Sequence, residues 1–159
     1  MTLKNKYDVN LLSFDLLNKD DKQIYSLERE KTALKECTCK SIVFLDQDFQ
    51  SKLNGDNGFF YLSAFSKEGQ LLVFEQIDFD LTQLPKSGLV EIVFKMNIPT
   101  HLDNSTFPNK KVVTYPKDKI KLHLSFSTKN VGDASFHQDL EDGTFINTTI
   151  PIKEADSNA

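Results

Sequence analysis

With 159 residues, 39% of them hydrophobic and 26% charged, the chain has the size of one domain whose core needs no disulfide or metal to form. A formal charge of −4, from 19 basic and 23 acidic residues, excludes the broad positive field that nucleic acid or an anionic membrane requires. No segment approaches the ~20 apolar residues of a membrane-spanning helix. No apolar leader precedes Tyr7, so the expected location is the cytoplasm, or outside the cell by a route without a cleaved signal.

Side-chain chemistry narrows the classes further. The 13 Phe against no Trp make phenyl rings the main bulk of the core. The cations are 18 Lys and a single Arg, Arg29, and so few forked guanidinium groups argue against phosphate recognition.

Along the chain, apolar and polar residues alternate at every second position, the period of a strand with one buried face. Tyr7, Val9 and Leu11 hold one phase and Leu12, Phe14 and Leu16 the other, which predicts a strand with a bulge or with both faces covered. Asn18-Lys19-Asp20-Asp21 reads as a turn, with Ile24 to Leu27 returning. Glu28 to Glu36 fits either a short helix or a charged edge strand. Cys37 and Cys39, a lone Cys-x-Cys pair without further ligands at zinc spacing, read as structural thiols.

Ile42 to Leu45 is a short apolar run. Asp46 to Gly55 is the best helix candidate: Asp46 stands at a capping position, Phe49 and Leu53 share a face, and Asn54-Gly55 can end it. Gly58 to Phe65 reads as a strand covered on both faces, joined through Lys67-Glu68-Gly69 to a strand at Leu71, Val73, Ile77 and Phe79. Leu72 and Phe74 on the opposite phase make that second strand look central.

Between Pro85-Gly88 and Pro99, the residues Val90, Ile92, Phe94 and Met96 mark a further strand, and it too carries apolar residues on its other face. Residues 103–110 form a long polar connection, Val112 to Tyr115 a weak strand, and Ile120, Leu122, Leu124 and Phe126 the clearest one-sided strand. Thr144 to Ile150 completes about nine. The pattern predicts an all-β, mainly antiparallel β-sandwich with at most one or two short helices, one domain over residues 1–152 and a frayed tail over 153–159.

Catalytic signatures are absent from this sequence. It holds no Gly-x-Ser-x-Gly elbow and, with 6 Gly, no phosphate-cradling loop. His101, His123 and His137 are scattered, and His123 falls on the polar phase of its strand, where a solvated ring is expected. Asp78 with Asp80 forms a carboxylate pair at a strand end, read as solvated charge. Asp139, Glu141 and Asp142 before Gly143 are the weak cation candidates, although their spacing does not fit an EF-hand loop. Asn104-Ser105-Thr106 and Asn147-Thr148-Thr149 match the glycosylation sequon by three residues each.

Lys110, Lys111, Lys117, Lys119 and Lys121 gather around Tyr115, and six acidic residues follow from position 130 onward. This polarity suits either partner steering or protection of an edge strand. The sequence thus points to a non-catalytic protein-interaction domain without a cofactor, of the kind that serves as a subunit of a larger assembly, binding a partner or its own copy through sheet edges or an apolar sheet face. The alternative is a carbohydrate-binding module using Tyr25, Tyr61 or Tyr115.

Overall fold

The computed structural model describes residues 3–30, 33–45, 48–49, 57–98, 118–130 and 138–154. Nine strands run in chain order through these residues: β1 (Asn10–Leu17), β2 (Leu27–Glu30), β3 (Ala33–Leu34), β4 (Cys37–Phe44), β5 (Asn57–Ser66), β6 (Leu71–Asp80), β7 (Leu89–Met96), β8 (Lys119–Ser127) and β9 (Thr144–Glu154). They form a three-stranded sheet, β1-β4-β7, and a six-stranded sheet, β3-β2-β9-β8-β5-β6. The pairings are antiparallel except β2 with β9, which is parallel. The fold is therefore all-β and sandwich-like, as the alternation predicts.

One core joins the two sheets. Cys39 and Val43 of β4 and Ile92 and Phe94 of β7 bury their side chains in the same cluster as Phe60 and Leu62 of β5 and Leu122 and Leu124 of β8. Phe60 lies at its centre, edge-on to Phe126 at 5.1 Å, Phe79 at 5.9 Å and Phe145 at 6.2 Å. Each such ring pair adds about 0.5–1.5 kcal/mol beyond the area it buries. Gly58 is required beneath this cluster, since a Cβ there would stand 2.5 Å from the Phe126 ring.

Local chemistry explains the turns. The Asn18 side chain accepts from the Asp20 and Lys22 amides, and Asp21 takes a φ of 58°, so the turn expected at 18–21 forms. The β5–β6 hairpin turns through Gly69 at φ 87°, a conformation that suits glycine. β5 is covered on both faces, with Phe60 through Ala64 all buried.

Several expectations are corrected. β6 is an edge strand of its sheet rather than a central one; the apolar residues on its second phase arise because Phe74 stacks flat on Tyr61, centroids 5.4 Å apart. β7 alternates cleanly instead of being covered on both faces. Of the two alternatives for Glu28–Glu36 the edge strand is the one found: β2 and β3 pair at the sheet edge. β9 continues through Glu154 because its end pairs with β2, Arg29 meeting Glu154 as an ion pair, so residues 153 and 154 belong to the sheet. The acidic stretch before Gly143 forms a helical turn, α1 (Gln138–Asp142), which buries Leu140. Of the helix expected over 46–55, only Asp48 and Phe49 lie within the described residues, and both are helical. The weak strand at 112–115 lies outside them.

Candidate functional site

Among the described residues the two sheets have four edge strands, and these differ in length, register and charge. β3 is two residues long, and the β1 edge is broken by a register shift between Leu11 and Ser13. β6 is shifted against β5 near Ala64 and carries Glu75, Asp78 and Asp80. Short length, irregular register and charged side chains are the devices that discourage accidental strand pairing. β7 shares only the last of these, in Glu91 and Lys95. It runs eight residues without proline or bulge, in unbroken register with β4 from Cys37–Met96 to Phe44–Leu89, and among the described residues it pairs with β4 alone.

The sequence of β7 places its chemistry on two faces. Val90, Ile92, Phe94 and Met96 point into the core, while Leu89, Glu91, Val93 and Lys95 point out. Leu89 is 48% exposed and Val93 41%, comparable with Leu11 and Leu12 of β1. Beside them, Phe44 and Ile42 of β4 are half-buried opposite Leu89 and Glu91. Lys40 reaches diagonally to Glu91, Nζ to Oε2 at 3.7 Å, a solvated pair that orients more than it stabilises. An edge strand that pairs on one side only among the described residues, flanked by exposed aliphatic groups, can extend its sheet with another extended chain.

A polar cluster binds the N-terminal segment to α1. Asp139 accepts hydrogen bonds from Ser127 Oγ, from Tyr7 Oη at 3.0 Å and from Lys6 Nζ at 3.0 Å, while Asp142 accepts from Lys4 Nζ and Gln138 Nε2, each at 2.9 Å. Burial works to raise the Asp139 pKa, but the bonds from Ser127, Lys6 and Tyr7 outweigh it and hold the carboxyl below its ordinary range. Lys6 donates its amide to the Asp142 carbonyl as well, so the segment is tied by backbone and side chain. Asp139 thus directs its oxygens at a lysine and two hydroxyls, Asp142 directs Oδ1 at a lysine and an amide, and Glu141 is exposed. Among the described residues no group of three or more His, Cys, Asp or Glu is placed to hold a metal.

At the corner of β5 and β6 a shallow cleft of about 370 Å³ is lined by Asn57, Phe59, Asp78, Phe79, Asp80 and Asn130. Cross-strand pairing sets Asn57 beside Asp80 and Phe59 beside Asp78. Asp80 also caps the 3-10 turn Leu81–Gln83, accepting from the Thr82 amide at 2.9 Å and its hydroxyl at 2.6 Å. Asp78 accepts from Gln76 Nε2 at 2.7 Å. The carboxylate pair is thus positioned by hydrogen bonds within its own strand and the turn that follows.

No family model matches this sequence, and no curated protein matches it. Solved structures with some likeness include a candidate β-galactosidase from Bacteroides fragilis, with a TM-score of 0.45, 13% identity and 90% of this chain covered. A β-glucosidase from Listeria innocua in complex with glucose gives 0.40, 9% and 88%. A β-D-glucoside glucohydrolase from Trichoderma reesei gives 0.38, 11% and 92%. The chain spans 17%, 16% and 19% of the length of those proteins, respectively.

The other residues singled out by sequence are dispersed. Lys119 and Lys121 project from β8, an interior strand between β5 and β9, so they protect no edge; Lys110, Lys111, Tyr115 and Lys117 lie outside the described residues, as do His101 and His137. His123 is half-buried with its ring edge-on to Phe65 at 5.2 Å rather than solvated. Burial first, then the Lys121 charge, holds its pKa below 6.5 against a weaker pull from Glu141. Cys37 and Cys39 face the core as free thiols. The hydrogen bond between them and burial push Cys39 well above the ordinary thiol range, while the same bond lowers Cys37. Tyr61 is fully buried, its hydroxyl donating to the Lys129 carbonyl at 2.9 Å, and cannot stack on a sugar; Tyr25 is 79% exposed. Sequence reasoning placed β7 but missed its standing as an open edge, because edge position is decided by long-range pairing and leaves no local signal.

Proposed function

We propose that this chain is a non-catalytic protein-interaction domain that receives an extended segment of a partner along β7. The observation that carries this reading is the contrast among edges: β7 alone, among the described residues, combines full length, unbroken register and exposed aliphatic side chains. Backbone hydrogen bonds along such an edge supply affinity, and alternate side chains supply selectivity. A partner segment laid there would cover Leu89 and Val93 and reach the Phe44–Ile42 strip beside them.

A photo-reactive residue substituted at Leu89, with a control at the exposed Gln70 in the β5–β6 turn, tests this in cells. The reading expects a discrete adduct from position 89 and none from position 70. Equal labelling from both positions, or none from 89, refutes it.

A second reading rests on the corner cleft. Phe59, two carboxylates and two amides on one face match the stacking surface and bidentate oxygen acceptors that a polyhydroxylated ligand uses. Glycan-array binding that disappears in the Asp78→Ala variant would favour it, and a blank array removes it.

A further inference from the structure

The sequence of β7 is complementary to itself, and we infer that the segment it receives is β7 of a second copy of this chain. The inference rests on the strand-addition reading above and specifies its partner.

A two-fold axis perpendicular to the sheet would pair β7 antiparallel with its own copy. Facing residues must then lie on the same face of the joined sheet, which restricts the registers because side chains alternate. Centred on Val93, the register sets Val93 against Val93, Glu91 against Lys95 and Lys95 against Glu91 on the outer face. On the inner face it sets Ile92 against Phe94 and Val90 against Met96. Opposite charges meet twice, around an aliphatic centre, and apolar residues meet apolar residues on the core side.

The neighbouring registers lack this match. Centring on Ile92 sets Glu91 against Val93 and Lys95 against Leu89, and centring on Glu91 sets two carboxylates together. Centring on Phe94 sets Lys95 against Val93. Directly opposed unlike charges stabilise a strand pair and like charges oppose it, so the Val93-centred register is selected by charge. Glu91 and Lys95 are both exposed in the single chain, and Lys40 beside Glu91 leaves that carboxylate on the outer face, where a second lysine can approach it. The product is one continuous six-stranded sheet, β1-β4-β7 joined to its copy, which removes the open edge from both molecules.

Sedimentation velocity on the whole chain, with charge-reversal variants, tests this pairing. The wild type is expected to dimerise reversibly. Glu91→Lys and Lys95→Glu each create two like-charge contacts, and each is expected to weaken the dimer by at least about tenfold. An equimolar mixture of the two variants restores opposite charges at both contacts and is expected to recover dimer, as is the double variant carrying both changes. Lys95→Glu leaves the Lys40–Glu91 pair intact, so the test does not depend on the folding of Glu91→Lys. A strictly monomeric wild type, or a dimer that both single reversals leave unchanged, overturns the proposal. If the wild type is monomeric while the Leu89 probe captures a chain of different mass, self-pairing falls and the strand-addition reading stands.

Discussion

Replacing Asp139 with Ala removes one carboxylate that holds three donors from two distant parts of the chain. Ser127 is fully buried, so its hydroxyl proton loses a charged acceptor with no water to replace it, at a cost of roughly 1.5–3 kcal/mol. Tyr7 is half-buried and can turn toward solvent, which limits its loss to about 1 kcal/mol. Lys6 is exposed, and its ion pair adds at most about 1 kcal/mol. The expected destabilisation is therefore about 3 kcal/mol at neutral pH, or a fall in Tm of roughly 6–12 °C for a domain of this size.

Urea denaturation of wild type and Asp139→Ala across pH tests both magnitude and cause. The folded Asp139 pKa lies below its unfolded value, so the stabilisation is complete above the ordinary carboxylate range and is lost as pH falls through the folded value. The gap between the two proteins should thus narrow below about pH 4. A gap under about 0.5 kcal/mol at neutral pH, the scatter of an ordinary surface change, or a gap that stays constant into acid, would refute the reasoning.

Two further outcomes follow from the core and the half-buried ring. Gly58→Ala drives a methyl group into the Phe126 ring and should cost about 1–3 kcal/mol by overpacking; thermal melts of the double variant with Phe126→Leu should show part of that cost recovered, and strict additivity would contradict the contact. His123 binds its proton less readily folded than unfolded, so the stability it provides is whole above about pH 6.5 and declines as pH falls toward the lower folded value. His123→Gln should flatten the stability profile between about pH 7 and 5, and an unchanged slope would rule out this titration.

How much of this was legible in the sequence depends on the range of the interaction. β8 was readable as a strand because apolar and polar residues alternate from Ile120 to Phe126, although its second face is not the solvated one expected, Ser125 and Ser127 being buried; the β5–β6 hairpin was readable because its turn is local. β4 was half hidden: its inward residues are Cys37, Cys39, Ser41 and Val43, too small or polar to mark a core face, so only the stretch from Ile42 stood out. The parallel pairing of β9 with β2 joins residues more than a hundred positions apart, and no turn signal announces it. The same holds for the Asp139 cluster. Lys6 and Ser127 carry no sequence signal of it, and Tyr7 reads as part of an apolar strand phase until the fold collects them.

The open edge follows the same rule. Leu89 and Val93 read as a second apolar face that something must cover; both are exposed in the single chain, and β7 stands last in its sheet among the described residues, a position that local sequence does not encode. Amide hydrogen exchange across β7, compared between dilute monomer and the associated state, tests this directly. Protection should rise at alternate amides within Val90–Met96, those directed away from β4, while β8 remains unchanged. Unaltered exchange along β7 on association, or new protection confined to another part of the chain, would contradict the account.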